Sequence, residues 1–177
     1  MTVNFLKKTL GECKRADSIC ENSTSYETVS LTEFFVIDGA SGHPVRISKD
    51  ENDNHLTVTN SKSSTLTLIK VDSCLIHGNK EKKCDCILFN NKKIFFIELS
   101  EREGSSRKEK RNEAIKQLEN TLDIFKRNKV KFNHLESTAI ICFWSISRTI
   151  LTSMGEKKVA FKRKHNMYLK EERIIRF

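Results

Sequence analysis

Two carboxylates stand inside otherwise apolar stretches near the middle of the sequence. Asp85 lies in residues 84–90 and Glu98 lies in residues 93–100, and both stretches have the composition of strands. An ionised carboxylate in such surroundings loses its hydration, so each of the two needs a cation, a hydrogen-bond donor or a metal ion. We therefore look for the chemistry of this chain between residues 82 and 104.

Residues 90–92 (Asn-Asn-Lys) separate the two stretches and predict a tight hairpin, because Asn tolerates positive φ. Such a hairpin places Glu98 opposite a residue close to Asp85. Two carboxylates on neighbouring strands can bind one Mg²⁺ ion, whose remaining ligands are water molecules. The ion can polarise a phosphoryl oxygen and lower the pKa of an attacking water molecule.

Ion pairing is the alternative explanation for the two acids. Lys82, Lys83 or Lys93 could neutralise them, and the spacing alone does not decide between this and a metal site. Asp72 also ends an apolar stretch, where it either joins the site or caps a turn.

The cysteines suggest a second kind of metal site. Cys74, His77, Cys84 and Cys86 form a C-x2-H-x6-C-x-C pattern, whose ligand types suit zinc. The other explanation is that Cys84 and Cys86 share one face of a strand and are ordinary half-buried core residues. A disulfide framework is not expected, because the first residues lack the apolar region of a signal peptide.

The basic excess of the chain is concentrated near its end. The 177 residues carry a net charge of +9, and residues 129–177 hold 11 Lys and Arg against 4 Glu. The densest run consists of Lys157, Lys158, Lys162, Arg163 and Lys164. Basic patches bind polyanions by releasing counterions, so this run predicts a nucleic-acid interface, although a solvated face is the simpler explanation. No stretch reaches the roughly 18 apolar residues of a membrane span, and we expect a cytoplasmic protein without membrane contact.

The pattern of apolar residues predicts the elements that position these groups. In the first third we expect a helix within residues 1–30, a helix end or strand at 31–38 and mostly loop at 39–54. Four strands follow, at 55–60, 65–72, 84–90 and 93–100, and then a helix at 106–128 that opens on a Ser106–Glu109 capping box. A buried strand is expected at 138–146, and a hairpin or a strand with a short helix at 156–177. The long helix between two strands implies a parallel pair. This order is typical of an α/β fold with a mixed sheet.

The order of the motifs resembles the PD-(D/E)XK nuclease superfamily. The matching residues are Asp85 in the hairpin, residues 96–100 (Phe-Ile-Glu-Leu-Ser) in its second strand, and residues 114–118 (Ala-Ile-Lys-Gln-Leu) in the following helix. The resemblance covers about residues 55–146. It implies one domain with a restriction-endonuclease-like αβββαβ core, a mixed sheet sandwiched by helices. Residues 1–54 would be an N-terminal helix and loop extension, and 147–177 a basic C-terminal extension.

The resemblance also implies a function. Asp85, Glu98 and the backbone carbonyl of Leu99 would hold Mg²⁺ or Mn²⁺, and Gln117 would project toward the site. The activity would be hydrolysis of DNA phosphodiester bonds, in restriction, repair or defence against phage. We expect a homodimer or a protein partner, since little sequence remains for target recognition.

The chain departs from the family at Ser100, where the pattern has a lysine. That lysine orients water or stabilises the charge that develops on the phosphate. Lys110, on the same helix face as Gln117, is one replacement, and Lys83 and Lys93 are others. Alternatively the metal acts alone, or catalysis is lost and the fold serves as a nucleic-acid-binding or structural subunit of a larger complex.

Overall fold

The chain forms three helices and ten strands within the residues that the structure describes. This computed structural model describes residues 2–13, 24–39, 42–50, 55–76, 82–100, 107–132, 134–143 and 154–177. The elements are α1 (Val3–Leu10), β1 (Tyr26–Val29), β2 (Glu33–Ile37), β3 (Arg46–Ser48), β4 (Leu56–Thr59), β5 (Leu66–Lys70), β6 (Cys86–Phe89), β7 (Lys93–Ser100), α2 (Arg107–Arg127), β8 (Glu136–Phe143), α3 (Met154–His165), β9 (Tyr168–Glu171) and β10 (Ile174–Arg176).

The larger sheet is mixed and has the strand order β1-β5-β6-β7-β8-β9. In this sheet the pairs β1–β5, β5–β6 and β6–β7 are antiparallel, whereas the pairs β7–β8 and β8–β9 are parallel. The predicted parallel pair around the long helix is therefore confirmed, as is the coarse α/β class. In this pair Glu98 lies opposite Ile141, near the carboxyl ends of the strands.

The helices pack on one face of the larger sheet. The residues Ala114, Leu118 and Leu122 recur at the spacing of one helix face, and they bury that face of α2 against the strands. Leu6 of α1 and Phe161 of α3 belong to the same core. No helix in the described ranges combines the length and apolar character that a membrane span requires.

A second sheet covers the opposite face. Its strand order is β10-β4-β2-β3, with β10 parallel to β4 and the other pairs antiparallel. Phe34 and Val58 from this sheet and Leu88 and Ile97 from the larger one share a core that contains no residue of the described helices. The expectation of a sheet sandwiched by helices is thus wrong: one face carries helices and the other carries strands.

Several local predictions are confirmed within a few residues. Strands occupy the four central stretches, α2 runs Arg107–Arg127 for a predicted 106–128, and β8 runs Glu136–Phe143 for a predicted 138–146. Ser106 of the proposed capping box and residues 144–146 lie outside the described residues.

Three regions are resolved further by the strand pairing. The predicted N-terminal helix ends at Leu10, and β1 pairs with β5 further along the chain. The stretch predicted to be mostly loop contains β3, which pairs with the preceding strand β2. Of the two alternatives for residues 156–177, the strand with a short helix is found, as α3 and β9, and the hairpin is not, because β9 joins the larger sheet and β10 the smaller one.

Candidate active site

The β6–β7 hairpin brings the two acidic residues together, as the spacing predicts. The last ladder pair of these strands is Cys86 with Ile97, so Asp85 and Glu98 each stand one residue beyond that pair. The backbone N–H of Leu99 donates a hydrogen bond of 2.6 Å to Asp85 Oδ2. Asp85, directly before β6, is therefore bonded to the backbone of β7 at the residue after Glu98.

The reason for the tight turn differs from the expected one. Neither Asn90 nor Asn91 has positive φ. Instead Asn90 Oδ1 accepts hydrogen bonds of 2.8 Å from the backbone N–H groups of Lys92 and Lys93. The side chain of Asn90 closes the turn, and this fixes the hairpin register that sets Asp85 against Glu98.

Glu98 is the most strongly desolvated member of the pair. The residue is 5% exposed, and its Oε2 atom has no hydrogen-bond partner within the described part of the chain. Burial and the nearby carboxyl groups, Asp85 first among them, raise the pKa of Glu98 well above its usual value. Burial, and then the charge of Asp38, likewise raise the pKa of Asp85, although the Leu99 N–H opposes the change.

A cavity opens beside Asp85, and Glu98 is not among the residues that line it. Its volume is about 210 Å³. The lining residues are Asp38, Gly39, Gly42, His43, Pro44, Val45, Asp72, Ser73 and Asp85. Asp72 follows β5 and Asp38 follows β2, so carboxylates from both sheets reach one opening. Asp72 therefore lines the same cavity as Asp85, and it also pairs with Lys83.

Asp38 is a site residue that sequence reasoning missed. Its backbone N–H donates a 3.0 Å hydrogen bond to His55 Nδ1, which fixes the end of β2. The next residue must be glycine, since a Cβ on Gly39 would lie 2.3 Å from the carbonyl oxygen of His43 and 2.5 Å from that of Pro44. An acid that ends an apolar run immediately before a glycine was the available signal.

Lys83 is a buried cation that pairs with Asp72, one of the residues that line this opening. Its side chain is 4% exposed, and Nζ lies 3.2 Å from Asp72 Oδ1 and donates a 3.0 Å hydrogen bond to the carbonyl of Ile76. Lys83 thus sits beside one of the acids that line the cavity. The two other lysines considered from the sequence lie elsewhere: Lys82 pairs with Glu113, and Lys93 Nζ donates to the carbonyl of Arg176.

Helix α2 holds the segment that leads into β6. Gln117 Nε2 donates a 3.3 Å hydrogen bond to the carbonyl of Lys83. The backbone N–H of Cys84 donates 2.9 Å to Thr121 Oγ1, and Asn120 Nδ2 donates 2.9 Å to the carbonyl of Lys82. Gln117 therefore contacts the backbone two residues before Asp85, and its side chain fixes the position of this strand entry.

The remaining predicted site residues lie apart from the acids. Ser100 is buried at the end of β7, two residues after Glu98 and so on the same face of the strand. Lys110 is partly exposed on α2, where it contributes, after the hydrogen bond from Lys82, to lowering the pKa of Glu113. Within the described ranges it makes no hydrogen bond or ion pair with Asp85 or Glu98.

The zinc hypothesis does not fit the described residues. Cys74 takes part in a disulfide bond and is not available as a zinc ligand, whereas Cys13, Cys84, Cys86 and Cys142 are free thiols. Cys84 faces the helix-side core and Cys86 the core between the sheets, because the strand alternation breaks at Asp85. Burial raises the pKa of both thiols, which disfavours the thiolate that zinc needs. His77 lies outside the described residues.

The described residues contain no cluster of three or more His, Cys, Asp or Glu residues arranged to hold a metal ion. A metal site would therefore use two carboxylates and backbone or water oxygens. Oxygen donors suit Mg²⁺ or Mn²⁺, and the unpartnered Glu98 Oε2 is one such donor. The residues present thus fit a hard divalent cation and not zinc.

The basic run predicted to bind nucleic acid lies entirely in α3. Two of its members contact α2: Lys157 bonds to Asn112, and Lys164 lies 3.0 Å from Glu119 Oε1. Lys162 lies over the ring of Tyr168, at 3.9 Å from the centroid. Some basic residues of α3 therefore contact α2, and others lie on its outer surface.

Comparison of the chain with protein-family models, with curated proteins and with solved structures gave no match. The function must therefore be argued from the residues of this chain and their geometry.

Proposed function

We propose that the chain is a metal-dependent nuclease of the PD-(D/E)XK type that hydrolyses phosphodiester bonds of DNA. The observation that carries the proposal is Glu98, a buried carboxylate whose Oε2 has no hydrogen-bond partner among the described residues, close to Asp85, which accepts a hydrogen bond from the N–H of the next residue, Leu99. Burying two neighbouring carboxyl groups is costly unless a ligand compensates for it. A bound divalent cation would compensate for it.

Asp85, Glu98 and the carbonyl of Leu99 are the proposed metal-holding groups. A divalent ion supplies Lewis acidity and an activated water molecule for attack on the phosphate. Asp85 is held for this role by the Leu99 N–H, and Gln117 fixes the strand entry beside it. The cavity of about 210 Å³ is the proposed approach for the scissile phosphate on the side of Asp85; its lining contains Asp38 and Asp72 but not Glu98, so a bound cation would be needed there to offset the negative charge.

The order and pairing of five elements agree with the proposed αβββαβ core. The part of this core within about residues 55–146 would comprise the antiparallel strands β5, β6 and β7, helix α2, and β8 parallel to β7. Helix α1, which would open the αβββαβ order, lies in the N-terminal extension and is separated from β5 by four strands. The smaller sheet, β1, α3 and β9 would then be additions of this chain, and the smaller sheet contributes Asp38 to the cavity.

Lys83 is the proposed replacement for the lysine that Ser100 does not supply. Its ammonium group is buried and contacts Asp72, which lines the same cavity as Asp85. A fixed positive charge there can stabilise negative charge that develops on a phosphate, and the low dielectric of a buried position strengthens the effect. Lys110 is the weaker candidate, because it is partly exposed and acts on Glu113.

A cleavage assay tests this proposal. The purified chain is incubated with plasmid and single-stranded DNA in Mg²⁺, Mn²⁺ or EDTA, beside the isosteric variants Asp85→Asn and Glu98→Gln. We expect cleavage in either metal and its loss in EDTA and in both variants. Lys83→Met should lower kcat with little change in KM, whereas Lys82→Met, which removes a neighbouring exposed lysine, should leave both unchanged. Cleavage that survives in EDTA or in both acidic variants would contradict the proposal.

A second function follows from the departure at Ser100. The same fold would bind nucleic acid, or serve as a structural subunit of a larger complex, without cleaving. This alternative is favoured by the contacts that Lys83 already makes with Asp72 and Ile76, since they give its charge a structural role. DNA binding without cleavage in any metal, unchanged in Asp85→Asn and Glu98→Gln, would establish it.

A further inference from the structure

An exposed tyrosine stands among cations at the edge of the larger sheet. We call this region the α3–β9 surface and define it by Lys158, Lys162, Arg163, Tyr168 and Lys170. Strand β9 is the outermost strand of the sheet, so its outer side is not covered by another strand of this sheet.

A tight turn joins the two elements of the surface. Helix α3 ends at His165, and Asn166 takes a φ of 52° while its N–H bonds to the carbonyl of Lys162 at 2.9 Å. The chain therefore reverses within a few residues, and β9 starts at Tyr168. This reversal brings the last turn of α3 beside the first residue of the strand.

Only some of the basic residues of α3 contact other elements of the fold. The helix carries five Lys and Arg against one Glu. Lys157 and Lys164 contact α2, whereas Lys158 and Arg163 are exposed and have no hydrogen bond or ion pair with the described residues. Lys170 pairs with Glu172 at 3.5 Å, an exposed pair that solvent screens. The outer surface is therefore complementary to a polyanion.

Tyr168 adds an aromatic platform to this surface. The residue is 57% exposed, which sets it apart from the mostly buried aromatic residues of the described chain. Lys162 Nζ, at 3.9 Å from the centroid, covers part of one ring face and holds the side chain by a cation–π contact. The ring is thus both accessible and fixed beside the cations.

We propose that the α3–β9 surface binds single-stranded nucleic acid, with a base stacked on Tyr168 and the backbone phosphates on Lys158, Lys162 and Arg163. An unpaired base can turn out onto an aromatic ring, whereas a base in a duplex is held in its own stack. The inference extends the proposed nuclease function by naming single-stranded nucleic acid as a ligand. Its biological role therefore rests on that proposed function. Binding itself needs neither metal nor catalysis.

Fluorescence anisotropy in EDTA tests this surface separately from cleavage. The probes are a labelled oligothymidine and an abasic strand with the same phosphate backbone. We expect Tyr168→Ala to weaken oligothymidine binding by about 5- to 150-fold, in keeping with one stacked base. Tyr168→Phe should retain most of the affinity. On the abasic strand Tyr168→Ala should change nothing, because no base remains to stack.

Two further variants separate stacking from charge. Phe5→Ala removes the exposed aromatic of α1, outside the α3–β9 surface, and should leave binding unchanged. Arg163→Gln should lower the slope of log affinity against log salt by about 0.7, the value for one lost phosphate contact on a single strand, whereas Tyr168→Ala should leave that slope intact. Equal affinity of Tyr168→Ala and the unmodified chain for oligothymidine would overturn the proposal. So would tighter binding of a blunt duplex than of the single strand.

Discussion

The substitution Glu98→Gln should stabilise the protein at neutral pH when no divalent cation is present. Glu98 is 5% exposed, and none of the residues that the structure describes forms a hydrogen bond with its Oε2 atom. Burial and the charges of Asp85, Asp38 and Asp72 raise its pKa well above the usual value. In the unfolded chain the same carboxyl group is hydrated and ionises near its ordinary pKa. The folded state therefore binds a proton that the unfolded state releases.

The sign of the effect follows from this difference in proton binding. Where the folded group is protonated and the unfolded group is not, stability falls as pH rises. The window begins at the ordinary pKa of a glutamate, about 4.3, and ends at the raised pKa. Over every pH unit in that window the free energy of unfolding falls by about 1.4 kcal/mol for each carboxyl group that stays protonated. Gln cannot ionise, so the free energy of unfolding of the variant should lack the fall with pH that Glu98 causes in the unmodified chain.

Urea denaturation in EDTA at pH 5, 6, 7 and 8 measures the effect as the difference between the variant and the unmodified chain. The difference should grow with pH in favour of Glu98→Gln. A matched control is Glu136→Gln, which removes an exposed glutamate at the start of β8 and should follow the unmodified chain at every pH. A difference that stays constant from pH 5 to 8, or a variant less stable at pH 8, would refute the reasoning.

Three further substitutions test how the site is held, each by urea denaturation. Gly39→Ala places a Cβ 2.3 Å from the carbonyl of His43 and should cost at least 1–3 kcal/mol, roughly the cost of overpacking, whereas Gly155→Ala in α3 meets nothing within 4 Å and should cost nothing. Glu171→Ala leaves Arg111 buried without its carboxylate and should cost about 3–5 kcal/mol, against less than about 1 kcal/mol for Glu119→Ala at the more exposed pair with Lys164. Thr121→Ala removes the acceptor of the buried Cys84 N–H and should cost about 1–3 kcal/mol, and an unchanged midpoint would mean that this bond does not hold the strand entry.

The hairpin and its acids could be predicted because their information is local. The turn and the alternation within β6 and β7 together fix the hairpin register, so the proximity of Asp85 to Glu98 follows from residues 84–100, whereas the side of the sheet that Asp85 takes does not. The length and position of α2 followed from its apolar spacing for the same reason.

Contacts between distant segments could not be predicted in this way. Asp38 reaches the cavity only because β2 pairs with β4 in a second sheet, and nothing in residues 31–38 specifies that partner. The break in alternation at Asp85, which sends Cys84 and Cys86 into different cores, depends on how α2 holds the strand entry through Thr121. The pairing of Lys83 with Asp72 likewise depends on tertiary structure.

Isothermal titration with Mn²⁺ tests the central claim most directly, because it measures the metal site without requiring cleavage. The account predicts saturable binding to the unmodified chain that is lost in Asp85→Asn and in Glu98→Gln. It should be retained in Asp123→Asn, which removes an exposed carboxylate of α2. Mn²⁺ binding that is equal in all four proteins, or absent from the unmodified chain, would contradict the assignment of Asp85 and Glu98 as metal ligands.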